Sequence, residues 1–163
     1  MKTCATESIT GRQLILLRLA EPDELSDTLE LPSSHFTCLV LWQTPALTPD
    51  DRFLTKLIAQ GVSAIEFWGP GCEQVEVNMD ILLCEPPQRE CHVITVSDAE
   101  EPIAEALWSF LFCLSPDEDL WDSTRTALAI VVGQGSWSDP VESALSDPAA
   151  FSQQVLADKD GAG

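Results

Sequence analysis

One cysteine of this chain has the setting of a nucleophile. Cys72 follows an apolar segment that ends in Gly69-Pro70-Gly71 and begins an amphipathic stretch, so a strand, a tight turn and a helix are expected to meet there. A helix N-terminus stabilises a thiolate and lowers the pKa of the thiol, and some hydrolases present a nucleophile at such a corner. His92 or His35 would supply the base, and Asp98 would orient it. The alternative is a thiol packed against the sheet, because the spacing matches no nucleophile motif.

The glycine-rich turns raise the question of a phosphate site. Gly69-Pro70-Gly71 lies between a predicted strand and a predicted helix, and a helix N-terminus attracts anions. However, Gln74 stands where the dinucleotide fingerprint has its third glycine, and no Gly-Lys-Ser/Thr is present. Gly133-Gln134-Gly135 is typical of a turn. We therefore expect neither a nucleotide nor another cofactor.

The possible metal ligands do not converge. Cys91 and His92 are adjacent, so in a strand their side chains point to opposite faces. The chain has no Cys-x-x-Cys and no His-x-x-x-His, whereas zinc needs several convergent ligands. Asp117-Glu118-Asp119 with Asp122 lacks the calcium-loop spacing and is typical of a solvated acidic loop. We expect no metal site.

The net charge excludes several classes of partner. Eight Lys and Arg stand against 27 Asp and Glu, which gives −19 with His neutral. The basic residues do not cluster, so the footprint that nucleic-acid phosphates require is missing. An anionic membrane surface would repel the chain. Three sources of the acidity stay open: a partner with a basic face, found faster through long-range attraction, adaptation to high salt, or plain solubility.

The sequence also indicates a compartment. The amino terminus lacks the apolar segment of a signal peptide, and the longest apolar run, 126–133, is far shorter than a bilayer span. The chain is 45% apolar and long enough to bury a core, so its six cysteines do not require a disulfide framework. We expect buried, reduced thiols in a soluble, cytoplasmic protein.

Short apolar runs alternate with amphipathic segments along the chain. The runs predict five strands, at 13–19, 36–42, 63–68, 91–96 and 126–133. Prolines and capping residues, including Thr48 and Ser97, predict helices at 21–31, 48–61, 97–114, 138–145 and 147–156. The segment 72–84 fits a helix or a strand equally well; its length and its place between two strands favour a helix.

This alternation predicts βαβ units and hence an α/β fold. We expect one three-layer domain over residues 1–163, with a mainly parallel five-stranded sheet and helices on both faces. The strand at 126–133 is expected to be central, because it is apolar throughout. The ends, 1–10 and 158–163, are expected to be frayed.

The fold prediction indicates where a site would lie, because ligands of parallel sheets bind outside the carboxyl ends of the strands. Trp42 and Trp68 end two predicted strands, and Trp137 follows a third. Further residues expected at this edge are Gly69, Gly71, Ser97, Asp98 and Gly133. Indoles beside glycines suit stacking or an interface anchor. The alternative is that these rings cap the ends of the core.

Three sequence blocks resemble those of a known family. They are Phe67-Trp68-Gly69-Pro70-Gly71-Cys72-Glu73, then Ala106-Leu107-Trp108-Ser109-Phe110-Leu111-Phe112-Cys113 running on to Pro116-Asp117-Glu118, and Val132-Gly133 followed by Trp137. In this order, over roughly residues 63–137, the chain resembles a family of small acidic bacterial α/β proteins of unknown function. The resemblance implies a single α/β domain of bacterial origin and supplies no catalytic residues.

Together these features predict a small cytosolic interaction protein whose acidic surface docks a basic protein partner, such as an immunity-type or antitoxin-like inhibitor. The competing hypothesis is a small-ligand-binding domain or a Cys-dependent hydrolase on the same edge, with Cys72 as nucleophile, His92 as base and Asp98 as orienting acid. A third is a structural subunit whose charge provides only solubility. The sequence predicts no particular oligomeric state.

Overall fold

Six strands form one mixed, mostly parallel sheet. The computed structural model of the chain describes residues 2–6, 11–86, 92–99 and 101–161. The strands are β1 Lys2–Thr6, β2 Gln13–Leu19, β3 His35–Trp42, β4 Val62–Trp68, β5 Ile94–Ser97 and β6 Thr124–Val132. They lie in the order β1-β2-β6-β3-β4-β5; β1 runs antiparallel to β2, and the other described pairs are parallel. The predicted α/β class and mainly parallel sheet are confirmed, and the count of five strands is wrong.

The strand that the sequence analysis missed is β1. Its residues fall in the segment 1–10 that was expected to be frayed, yet Lys2–Thr6 pairs with the edge of β2. This short segment carries little apolar periodicity, so its pairing depends on the free edge that β2 offers rather than on its own pattern. On the other side of β2, β6 lies in the sheet interior between β2 and β3, as its continuous apolar run predicts.

The residues that the structure describes also form five α-helices. They are α1 Asp51–Ala59, α2 Cys72–Cys84, α3 Ile103–Phe112, α4 Asp139–Ser146 and α5 Pro148–Gly161. The segment 72–84, which fits a helix or a strand in sequence, is therefore a helix, and α5 continues past the point where 158–163 was expected to fray. Within the described residues, no helix combines the length and the apolar content that a bilayer span requires.

The helix predicted at 21–31 reduces to a single 3-10 turn, Pro22–Glu24. The rest of this connection is irregular, and α1 supplies the hydrogen bonds that a helix would have made. The Lys56 ammonium donates to the Leu25 carbonyl at 2.5 Å, and the Gln60 carbonyl oxygen accepts from the Leu29 N–H at 2.6 Å. These two side chains thus give backbone groups of the segment hydrogen-bond partners that do not depend on a helix.

Two predicted helix starts are displaced. Helix α1 begins at Asp51, with Asp50 rather than Thr48 as its cap, and the Asp50 carboxylate accepts from the Phe53 N–H at 2.9 Å. Helix α3 begins only at Ile103, because Ser97 belongs to β5 and its hydroxyl donates to a side chain of α2 instead of capping α3. The strand predicted at 91–96 begins at Ile94, and Cys91 lies outside the described residues.

The sheet buries both of its faces. Successive residues of β3 point to opposite faces of the sheet, so Val40 and Leu41 lie in two different apolar clusters. One cluster includes residues of α1 and α2, and the other includes residues of α3 and α4. The connections therefore pass over opposite faces, while the carboxyl ends of the five parallel strands share one edge.

Candidate functional site at the carboxyl edge of the sheet

The parallel strands bring the predicted site residues to one edge. Trp42, Trp68 and Ser97 are the last residues of β3, β4 and β5, and Gly133 follows β6 directly. The turns beyond these strands carry the remaining ones, which are Gly69, Gly71, Asp98 and Trp137. The edge is shared, but the two faces of the sheet divide the three tryptophans.

Trp42 belongs to the core rather than to a surface. Its ring is fully buried in the cluster with α1 and α2, and its indole N–H donates to the Pro70 carbonyl at 3.1 Å. Gly69, at φ 148°, lies so close that a Cβ atom there would meet the Trp42 carbonyl oxygen at 2.4 Å and the ring at 2.7 Å. Trp42 and Gly69 thus lock the corner between β4 and α2, and this indole is not available to a partner.

Trp68 and Trp137 form a pair on the opposite face. Their ring centroids are 6.4 Å apart with an interplanar angle of 19°, a stacked arrangement, and both side chains are half-buried. The Trp68 indole N–H donates to the Glu101 carbonyl at 2.9 Å. Trp137 lies in the 3-10 turn Ser136–Ser138 that follows β6. The loops after three strands therefore hold one accessible aromatic surface.

Acidic residues lie in the turns that hold this pair. Asp98 and Glu101 follow β5, next to Trp68, and Asp139 begins α4 two residues beyond Trp137. The Asp98 carboxylate accepts from the Glu101 N–H at 3.3 Å, which shapes the turn. We call Trp68, Trp137, Asp98, Glu101 and Asp139 the acidic rim.

Basic side chains near the rim are engaged elsewhere. Arg18 pairs with Glu142 of α4 at 3.4 Å, and Lys159 pairs with Glu105 of α3 at 2.8 Å. The ion pairs that the described residues form at this edge thus reach Glu105 and Glu142 rather than the three rim carboxylates. The charge of Lys159 also acts on Glu101 and partly balances it, whereas no ion pair among the described residues reaches Asp98 or Asp139.

The proposed nucleophile, base and orienting acid are not brought together. Cys72 is fully buried at the start of α2, and Asp98 follows the carboxyl end of β5. His92 precedes the amino end of β5, where it and His35 line a depression of about 190 Å³. The whole length of β5 therefore separates the imidazole of His92 from the other two groups.

The thiol of Cys72 also differs from its expected character. Burial raises the pKa of Cys72, and hydrogen bonds from the backbone around it, led by that of Gly69, only partly oppose the effect. The expected lowering of the Cys72 pKa is therefore wrong, because desolvation outweighs the field of the helix N-terminus. Cys38 and Cys72 are buried, whereas Cys84 and Cys113 are exposed, so the expectation of buried thiols holds only in part.

One buried acid escaped the sequence analysis. Glu66, in the middle of β4, is 1% exposed and accepts a hydrogen bond from the Ser109 hydroxyl of α3 at 2.9 Å. Burial raises the pKa of Glu66 to about 7, the Ser109 bond opposes the rise, and the nearby charge of Asp98 adds to it. The sequence signal was present: this is the only acid inside the apolar run 62–68. Glu66 lies directly beneath the rim, two residues before Trp68.

The part of the chain that the structure describes contains no cluster of possible metal ligands. There, no group of three or more His, Cys, Asp and Glu side chains is placed to share an ion. The site is therefore described by its indoles, its carboxylates and the buried Glu66.

The comparison with known protein families identifies a family whose function is not known. The chain matches no curated protein. Residues 14–148, from β2 to the start of α5, match the family model described as "Domain of unknown function (DUF7684)". The expected membership of an uncharacterised family is therefore confirmed. The chain belongs to the DUF7684 family of unknown function.

Proposed function

We propose that this protein is a small acidic interaction module that binds a basic protein partner at the acidic rim. The observation that carries the proposal is the stacked, half-exposed pair of Trp68 and Trp137, held by turns that contain the acidic residues Asp98, Glu101 and Asp139. An immunity-type or antitoxin-like inhibitor is the concrete form of such a module. Its place would be the cytoplasm, which the free thiols of Cys38, Cys72, Cys84 and Cys113 support.

The chemistry of the rim fits a guanidinium or ammonium group. An Arg side chain stacks on an indole face and pairs with a carboxylate at the same time. The molecule makes one such contact internally, since the Lys159 ammonium lies 5.7 Å from the centre of the Trp108 ring and also pairs with Glu105. A tryptophan in a partly desolvated setting is a common anchor of a protein interface.

The charge of the whole chain favours the same partner. At −19, the protein attracts a basic surface over distances of about 10 Å at moderate salt, which raises the association rate. Phosphate ligands are disfavoured, because the first turns of the helices that begin at this edge carry acids, among them Asp51, Glu73, Glu105 and Asp139. These acids take the position at the helix N-terminus that an anion would need.

A titration with an arginine-rich nonapeptide tests the proposal. Tryptophan fluorescence would report binding at about 20 mM and about 300 mM NaCl, since exposed pairs are screened over this range. The rim variant is Glu101→Gln/Asp139→Asn. The matched control is Glu118→Gln/Asp119→Asn, which removes the same charge from the turn Glu118–Ser123 at the amino end of β6.

We expect the rim variant to weaken binding about tenfold and the control to change it less than about twofold, both relative to the parent at low salt. Equal losses in the two variants would mean that the peptide senses only net charge, and the rim would then not be the binding surface. Binding that does not weaken with salt would also overturn the proposal.

A further inference from the structure

The topology of the sheet creates a second candidate site beside the rim. The segment after β6 leads to α4, which packs on the face with Leu107 and Leu111 of α3. The segments after β2 and β3 lead to the opposite face, where Leu25 and α1 pack. Neighbouring strands whose following loops diverge in this way leave a crevice at their carboxyl ends, which is where open parallel sheets bind ligands.

Of the two crevices beside β6, one is filled and one is open. Between β6 and β3, Leu47 lies against Gly133 so closely that a Cβ atom at Gly133 would meet its Cδ1 at 2.7 Å. Between β6 and β2, an open cavity of about 430 Å³ remains, with Arg18, Glu24 and the turn 133–135 among its walls. At the bottom of this cavity the ends of β2 and β6 are joined by a backbone hydrogen bond, in which the Gly133 N–H donates to the Leu19 carbonyl at 2.8 Å.

The turn 133–135 presents bare backbone to this cavity. Gly133 has φ 108° and Gly135 has φ 122°, a region that residues with a side chain rarely adopt. Glycine at both positions therefore serves the turn and also lets a small molecule approach the main chain closely.

The two charged side chains in the walls have opposite signs and spare hydrogen-bonding capacity. Arg18 donates to the hydroxyl and the carbonyl of Ser138 and to Glu142, three bonds out of the five N–H groups of a guanidinium. One oxygen of Glu24 accepts from the Ala20 N–H at 2.7 Å. Among the described residues, no further hydrogen bond reaches the Glu24 carboxylate. Both side chains are held in place by the bonds that they make.

We propose that this crevice binds a small zwitterion of the amino-acid class, with its carboxylate on the Arg18 guanidinium and its ammonium group on the Glu24 carboxylate. A free phosphate or a nucleotide would meet the Glu24 carboxylate unfavourably, whereas a molecule with one charge of each sign can pair with both Arg18 and Glu24. The cavity leaves room for a ligand of this size, and binding there requires no partner at the acidic rim, although Gly135 of the cavity wall lies against Trp137 of the rim.

NMR titration of the ¹⁵N-labelled protein tests this site, because backbone amide signals report binding even when it is weak. The probes are free L-leucine, L-glutamine and L-arginine, each beside its amide, which lacks the carboxylate, and its N-acetyl form, which lacks the ammonium group. We expect at least one free amino acid to shift the amide signals of Gly133 and Gly135. Its two blocked forms should bind about tenfold more weakly or not at all.

Isosteric variants locate the binding. Glu24→Gln keeps the bond from Ala20 and removes the charge, so it should weaken binding about tenfold. Glu21→Gln removes the same charge from the residue that precedes this 3-10 turn and should bind as the parent does. Arg18→Gln tests the other wall, with Arg125→Gln as its control. The Arg18→Gln variant should bind the free amino acid no more tightly than its amide, which lacks the carboxylate.

Three outcomes would overturn the proposal. They are the absence of any shift at about 10 mM of every free amino acid, a blocked form that binds as tightly as its parent, and equal effects of Glu24→Gln and Glu21→Gln. Arg18 also holds Ser138 in place, so the Arg18→Gln variant could unfold. In that case the comparison of Glu24→Gln with Glu21→Gln tests the proposal alone.

Discussion

At the scale of single residues, Glu66 makes the stability of the folded protein depend on pH. A carboxyl group that is buried with one hydroxyl donor is more stable protonated than ionised, which is the reason for its pKa of about 7. The folded state therefore binds this proton more tightly than the unfolded chain, whose carboxyl has a pKa near 4.5. The resulting stabilisation is fully present below about pH 4.5 and is lost as the pH rises through about 7.

Replacing Glu66 with Gln should remove this pH dependence. At pH 8 the parent must hold a buried carboxylate, so Glu66→Gln should be more stable by about 1–3 kcal/mol, and at pH 4.5 the two should be nearly equal. Urea unfolding at both pH values measures the free energies. The control Glu73→Gln removes an exposed carboxylate of α2. A variant that loses stability at pH 8 would show instead that the ionised Glu66 is stabilised by its surroundings.

Cysteine reactivity separates the core from the surface. Cys38 and Cys72 are buried, and burial raises the pKa of both thiols, whereas Cys84 and Cys113 are exposed. Alkylation at neutral pH, followed by peptide mass spectrometry, should modify Cys84 and Cys113 first. Cys38 and Cys72 should react only when the protein unfolds, and in urea all four should react alike. Modification of native Cys72 at the rate of Cys84 would restore Cys72 as a candidate nucleophile.

At the scale of elements, the corner between β4 and α2 depends on two glycines that differ in surroundings. Gly69 faces the Trp42 carbonyl and ring, and Gly71, at φ 76°, has open space around it. Gly71→Ala should cost about 1 kcal/mol, which is the cost of the left-handed conformation alone. Gly69→Ala should cost about 3 kcal/mol or more, because backbone and indole must also move.

Urea unfolding of the two variants, compared through their midpoints and slopes, measures this difference. Equal losses would contradict the assignment of Trp42 and Gly69 as a packed corner. They would mean that both glycines are needed only for the backbone conformation of the turn.

The sequence predicted those elements whose own pattern is strong. The boundaries of β2 agree with the segment 13–19, because a short, mostly apolar run leaves few alternatives. The pattern of 72–84 fits a helix or a strand, and its length and its place between two strands are what favoured the helix that is found. The helix at 21–31 failed because hydrogen bonds from Lys56 and Gln60, distant in sequence, satisfy that backbone. The short strand β1 was missed because its pairing depends on the edge of β2.

At the scale of the whole molecule, the parallel strands bring the site residues to one edge of the sheet. The connections that follow the strands distribute these residues over its two faces. Sequence reasoning brought Trp42, Trp68 and Trp137 to one edge, which the parallel sheet supports. It did not distinguish the two faces, so the burial of Trp42 and the stacking of the other two rings were not foreseen. The open crevice beside β2 likewise depends on β6 lying between β2 and β3, an order that no local pattern encodes.

At this scale we propose that charge brings a basic partner to the protein and that the rim decides where the partner binds. The five tryptophans allow this to be observed in the unmodified chain, because each gives one indole N–H signal in a ¹H–¹⁵N spectrum. Trp121, exposed in the turn Glu118–Ser123, is the internal control for an indole among acids away from the rim. When the arginine-rich nonapeptide is added at low salt, the signals of Trp68 and Trp137 should shift together along one binding curve, and that of Trp121 should stay in place. A shift of Trp121 as large as theirs, or no shift of Trp137 at saturation, would contradict the account.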